Sequence, residues 1–220
     1  MWPTLFNDRA DAGKQLAEAL REYAGDSNTI VLALPRGGVP VGCEVADALG
    51  LPLDVLIVRK LGVPEQPELA MGAIASGGGR YINDSVVAHV GISRETIERV
   101  AARELVELKR REQAFRGHRP PLDVHDRTVL LVDDGVATGS TMIAGILALR
   151  AQQPRAVVVA VPVAPPETAE KLRGIADLFI CLHEPADFYA VGEAYTHFWQ
   201  TTDEEVRELL ASRSHIQTAT

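Results

Sequence analysis

Two adjacent carboxylates, Asp133 and Asp134, are followed at once by small residues, Gly135-Val136-Ala137-Thr138-Gly139-Ser140-Thr141. Small residues leave backbone N–H groups open. Where such a run enters a helix, those amides and the positive end of the helix dipole converge, which suits a phosphate. Carboxylates beside a phosphate cradle repel the ligand unless they face a neutral or cationic part of it, so these acids read as partners of hydroxyl groups or of a metal ion. A sugar phosphate has both features. A second candidate is Arg36, the one charge in Pro35-Arg36-Gly37-Gly38, where two glycines let a ligand approach the backbone; alone, it reads equally well as an ordinary turn with a surface arginine. A third is Arg59-Lys60, two cations directly after an apolar run.

The elements that must position these residues repeat one pattern. Residues 29–34, 53–58, 129–132, 155–161 and 177–181 are apolar, largely β-branched runs of the kind buried on both faces of a sheet. Helical patterns lie between and around them. The first, 8–23, has Ala10, Leu16, Ala17 and Leu20 at helical spacing and Asn7 or Asp8 as its cap; 39–49, 142–149, 165–173 and a closing 203–210 follow the same logic. Residues 93–116 read as a long charged helix starting at Ser93, with Ile97, Val100, Ala101, Leu105 and Leu108 as its apolar stripe and its arginines in water. This alternation predicts an α/β fold: a doubly wound, mainly five-stranded parallel sheet flanked by helices, with right-handed crossovers. Open sheets of this kind bind ligands outside the carboxyl ends of their strands, where the acid pair, Arg36 and Arg59-Lys60 all fall. Residues 61–71, with Pro64 and Pro67 and no sustained period, read as a long loop of the kind that forms lids, here acidic with Glu65 and Glu68. Residues 72–84 read as a hairpin, and 117–126 as a linker in which His118 and His125 have no identifiable partner.

Composition bounds the function. With 220 residues the chain can bury a full core as one domain spanning 1–220. A net charge of −8 provides no general basic field, which excludes nucleic acid as the expected partner. Cys43 and Cys181 are far apart and lie in apolar segments, so they read as buried free thiols in a reducing compartment. The N-terminus has no leader pattern and no run approaches membrane-spanning length, so the expectation is a soluble cytoplasmic protein without a membrane partner. The turn after Asp134 also lacks both the Gly-Lys-Ser/Thr ending of a Walker loop and the Gly-x-Gly-x-x-Gly of a dinucleotide fold.

From residue 129 to 141, apolar strand, two acids, small residues and Thr-Gly-Ser-Thr, the segment resembles the phosphoribosyl pyrophosphate (PRPP) signature of the type I phosphoribosyltransferases at every position. Pro35 to Gly38 is similar to that family's pyrophosphate loop, in which a strained, often cis, non-proline peptide presents its amides. The resemblance implies a Mg2+-dependent glycosyltransferase (pentosyltransferase) that displaces pyrophosphate from PRPP with a nitrogenous base or other amine. By that reading Asp133, Asp134, Arg59 and Lys60 are catalytic, any contribution of the two acids to metal binding being indirect. Arg36, Gly37, Gly38, Ala137, Thr138, Gly139, Ser140 and Thr141 hold PRPP. The core covers about 29–181. The aromatic stretch 182–200, with Phe188, Tyr189 and Tyr195, is the candidate hood over the base, together with N-terminal residues; a core or oligomer contact is its other reading. Expected partners are PRPP, a small nitrogenous acceptor and a second copy in a homodimer. Ala137 stands where transferases for 6-oxopurines carry a basic Asp, which points away from hypoxanthine and guanine. Together with Arg59-Lys60-Leu61-Gly62 and the aromatic tail, the pattern looks most like a poorly characterised bacterial group named as phosphoribosyltransferases without an assigned substrate. The alternative is a regulatory protein of the same fold that binds PRPP or a nucleotide without turnover.

Overall fold

The computed structural model describes residues 4–117, 119–120 and 122–212; His118 lies outside them. Asp8 accepts the Asp11 amide and so starts α1 (Arg9–Ala19). Five apolar segments then form β1 (Thr29–Ala33), β2 (Leu53–Val55), β6 (Thr128–Val132), β7 (Ala156–Val163) and β8 (Leu178–His183). They pair in parallel in the order β2-β1-β6-β7-β8. This is the expected five-stranded sheet.

Helices cover both faces because alternate strand residues point to opposite sides. Val31, Ala33, Leu130, Val132 and Val158 pack with α1, α2 (Gly38–Leu49), α4 (Arg94–Arg116) and α7 (Asp203–Ala211). Ile30, Leu32, Leu131, Val157 and Val159 pack with α5 (Ser140–Arg150) and α6 (Pro166–Arg173) on the other side. A third cluster joins Phe6 and Ala12 to Val163, Ala194 and Tyr195, so the N-terminal segment and the aromatic tail are packed together.

Several expectations need correction. Residues 53–58 are not one strand: β2 ends at Val55, and Val58 opens β3 (Val58–Val63) in a separate antiparallel sheet, β3-β4-β5, with β4 (Gln66–Ala75) and β5 (Arg80–Ile82). Residues 61–71 are therefore a hairpin. Gly62 and Pro67, which look like breakers, sit where the register slips by bulges, and a β-carbon on Gly62 would lie 2.5 Å from the Pro67 carbonyl oxygen. The hairpin expected after residue 72 is β4 with β5. Asp84–Val90 forms α3, a short helix capped by Asn83 that the sequence pattern did not disclose. Along α4, Leu105 is exposed and the buried set takes in Glu104, Phe115 and Arg116 instead. Arg116 is thus not in water: it grips Asp54 of β2 through two hydrogen bonds of 3.0 and 2.9 Å. His125 lies 3.2 Å from Asp126. Among the described residues, no helix is long and apolar enough to cross a membrane.

Candidate active site

The sheet order reverses between β1 and β6, and a crevice opens outside the strand ends at such a switch. Ala33 is paired with Val132, so the turns leaving the two strands emerge side by side. They touch. A β-carbon on Gly38 would lie 2.9 Å from the Asp133 Cα, and one on Gly37 would lie 2.0 Å from Asp134 Oδ2, so only glycine permits this approach. The peptide between Pro35 and Arg36 is cis, as the resemblance led one to expect for this loop. Arg36 itself is exposed and reaches Asp203 at the start of α7, 3.2 Å away. An ion pair this open to water is weak and can be exchanged for another anion.

Asp133 and Asp134 crowd one another at the end of β6, where the Asp134 N–H donates to Asp133 Oδ1 at 2.9 Å. Removal from water, and then the charge of Asp134, push the Asp133 carboxyl well above the usual carboxylate range. Burial also raises Asp134, against the pull of Arg9. Arg9 of α1 donates from Nε to Asp134 Oδ2 at 2.8 Å and from Nη1 to the Trp199 carbonyl at 2.6 Å, with its guanidinium 3.9 Å from the centre of the Phe198 ring. Sequence reasoning missed Arg9. The available signal was its place in the first turn of a helix, where the dipole disfavours a cation unless something else holds it there.

The small-residue turn closes on Gly139, whose left-handed conformation (φ 76°) starts α5 and whose carbonyl accepts the Ile143 amide at 2.8 Å. Thr168 Oγ1 donates to the Ala137 carbonyl at 2.7 Å and pins the turn to α6. Ala137, Thr138, Ser140 and Thr141 remain exposed, with the Thr138 and Ser140 hydroxyls 3.2 Å apart. The arrangement is an open helix N-terminus suited to an anion.

Arg59 and Lys60 part company. Both lie in β3, and Arg59 donates from Nε and Nη2 to Glu104 Oε2 at 2.9 and 2.6 Å, a pair tied to α4. Lys60 is exposed and lines a cleft of about 220 Å³ with Glu68, Tyr81, Asn83, Ser140 and Ile143, so the hairpin brings it to the phosphate-type turn. Of the aromatic candidates, Tyr195 is buried and donates its hydroxyl to the Asp134 carbonyl, Phe188 packs half-buried on the third cluster, and Tyr189 is exposed. A larger groove of about 460 Å³ runs between α1 and α7, walled by Asp8, Pro40, His197, Trp199, Glu205 and Glu208. Among the described residues, no group of three or more His, Cys, Asp or Glu side chains could hold a metal ion.

The chain matches the family model described as the phosphoribosyl transferase domain over residues 2–195. Two Mycobacterium tuberculosis proteins, from strains CDC 1551 and H37Rv, carry provisional phosphoribosyl transferase names and are each 47% identical over 211 residues. The match takes in 96% of this chain and 47% of theirs, so the chain spans about half the length of these curated relatives. Among solved structures, the protein TT1426 from Thermus thermophilus superposes with a TM-score of 0.85 at 44% identity, covering 94% of this chain and 98% of that one. On the family match, the fold and the sequence similarity together, the chain belongs to the phosphoribosyl transferase domain family.

Proposed function

We propose that the chain transfers the 5-phosphoribosyl group of PRPP to a nitrogenous base or other amine, releasing pyrophosphate. The observation that carries this reading is the contact of the two turns: the glycines of the Arg36 loop lie against Asp133 and Asp134 at the switch point of the sheet. A phosphate cradle, hydroxyl-seeking carboxylates and a second anion loop are then within one small ligand's reach.

In this reading the amides of residues 137–141 and the Thr138 and Ser140 hydroxyls hold the 5′-phosphate at the start of α5. The acid pair meets the ribose hydroxyls and offsets positive charge as it develops on the ring. Arg36 turns from Asp203 to the pyrophosphate, and Lys60, facing Ser140 across its cleft, supplies a second cation. Arg59 is already neutralised by Glu104 and supports the hairpin. His197 and Trp199, rather than Phe188 or Tyr189, line the larger groove and make the better wall for an acceptor. The donor set fits magnesium that would arrive with the pyrophosphate: with only two carboxylates, one of them engaged by Arg9, Asp133 and Asp134 would hold such an ion indirectly, as suits a cation that dehydrates reluctantly. Such an ion would neutralise the leaving group. Most of the rate enhancement then comes from positioning and fixed charge.

The test is calorimetric titration of PRPP with magnesium into the wild-type chain and into Asp133→Asn/Asp134→Asn. Saturable binding that the double substitution weakens supports the reading. Absence of binding by the wild-type chain refutes both the transferase reading and that of a PRPP-binding regulator.

A further inference from the structure

The two acids of the pair have different surroundings. Asp134 is enclosed: Arg9 Nε holds its Oδ2 at 2.8 Å, Gly37 packs against the same oxygen, and the Tyr195 hydroxyl donates to its carbonyl. Asp133 has Gly38 beside it, accepts the Asp134 amide, and makes no ion pair among the described residues. A carboxylate has about four lone-pair sites, and each acid accepts a hydrogen bond from the protein with lone pairs to spare, so the ion pair with Arg9 is what distinguishes Asp134.

Arg9 is itself held from three sides. Its side chain is 11% exposed, and a buried guanidinium is costly unless its donors are met. Asp134 Oδ2, the Trp199 carbonyl and the Phe198 ring meet them, and Phe198 is stacked on Tyr195 with ring centres 5.0 Å apart and planes 27° from parallel. The result is a closed circuit of Arg9, Asp134, Tyr195 and Phe198, in which each member is held by two others. It links the first helix, the end of β6 and the aromatic tail.

We propose that Arg9 is a positioning residue for the acid pair: it builds Asp134 into the frame of the site, so that Asp133 and Asp134 present their carboxylates to the ribose hydroxyls in a fixed alignment. This rests on the transferase reading above. Arg9 also borders the groove between α1 and α7, but towards PRPP it acts through Asp134, which otherwise would swing out of line with Asp133. Lysine at position 9 keeps the charge but loses the fork that reaches Asp134 and Trp199 together.

The experiment is a double-mutant cycle in the affinity for PRPP with magnesium, read by calorimetry on the wild-type chain, Arg9→Met, Asp134→Asn and the two combined, with Arg9→Lys and Asp133→Asn alongside and thermal midpoints as a check of folding. Arg9→Met and Asp134→Asn should each weaken binding about tenfold, and the combination no more than either alone, because both break one contact. Arg9→Lys should recover part of the loss, and Asp133→Asn should weaken binding about tenfold or more. Multiplying losses in the combined variant, or an Arg9→Met affinity within about twofold of wild type, overturns the proposal while the transferase reading stands. A wild-type chain that binds no PRPP removes both.

Discussion

Gly37 and Asp134, almost a hundred positions apart, approach so closely that a β-carbon on the glycine would stand 2.0 Å from the carboxylate oxygen. The pyrophosphate-type loop is thus laid on the acid pair itself, and the pairing of Ala33 with Val132 beneath them sets that contact. Gly37→Ala should therefore displace Asp134 or the loop. The expected results are a loss of about 1–3 kcal/mol in stability, of the size seen for overpacking, and loss of PRPP binding. Thermal unfolding and calorimetry on the same preparation would check both; an alanine variant that binds normally would show that the loop moves apart at little cost.

Among the described residues, Arg36 is held only by Asp203, in a pair largely open to water. Asp203→Asn should change stability by less than about 1 kcal/mol and tighten PRPP binding by about twofold to fivefold, since the ligand no longer competes with a carboxylate for Arg36. The gain should shrink at high salt as the charges are screened. Titration at low and high ionic strength would show it.

The two neighbouring cations of β3 should separate experimentally. Arg59→Met leaves the largely buried Glu104 with the exposed Arg103 on Oε1 but without its partner on Oε2, so it should cost about 1–2 kcal/mol in stability while PRPP affinity changes little. Lys60→Met should do the reverse: a near-normal unfolding midpoint with affinity for PRPP reduced about tenfold or more. Equal losses of affinity in both variants would mean that Arg59 leaves Glu104 when ligand arrives.

Crowding of the acid pair has a cost in the free protein. A carboxyl raised by burial in the folded state stabilises the fold at low pH and loses that contribution as pH rises through its folded-state value, so at neutral pH ionised Asp133 weakens the fold. Asp133→Asn should consequently raise the unfolding midpoint at pH 7 by a few degrees, about 2–4 °C for each kcal/mol relieved, and the gain should fade towards acid pH as the wild-type pair takes up a proton. Unfolding scans between acid and neutral pH would measure this; a less stable asparagine variant at pH 7 would show the carboxylate to be structurally satisfied.

How much of this was legible depended on how local the cause was. The strand, turn and helix around residues 129–141 follow from neighbouring residues: β-branched apolar positions end at two acids, and glycine at 139 supplies the left-handed start of α5. The five parallel strands were legible for the same reason. The hairpin at 58–75 was not, because Gly62, Pro64 and Pro67 signal a loop, and only the bulged pairing across β3 and β4 makes them tolerable. Leu105 and Glu104 exchanged their expected places on α4 because Arg59, far off in sequence, recruits the acid inward. Arg9 and Arg116 escaped notice likewise: each is set by a partner 125 or 62 positions away, and a side chain's type does not name so distant a partner.

Transfer from PRPP is tested most directly by pyrophosphate release from PRPP and magnesium, measured for the wild-type chain and for Asp133→Asn across a panel of nitrogenous bases and amines. The account predicts release that depends on at least one acceptor, forms the matching nucleotide in equal amount, and falls by orders of magnitude in Asp133→Asn. Wild-type chain that binds PRPP tightly yet leaves it intact with every acceptor would contradict the account and assign the site to sensing.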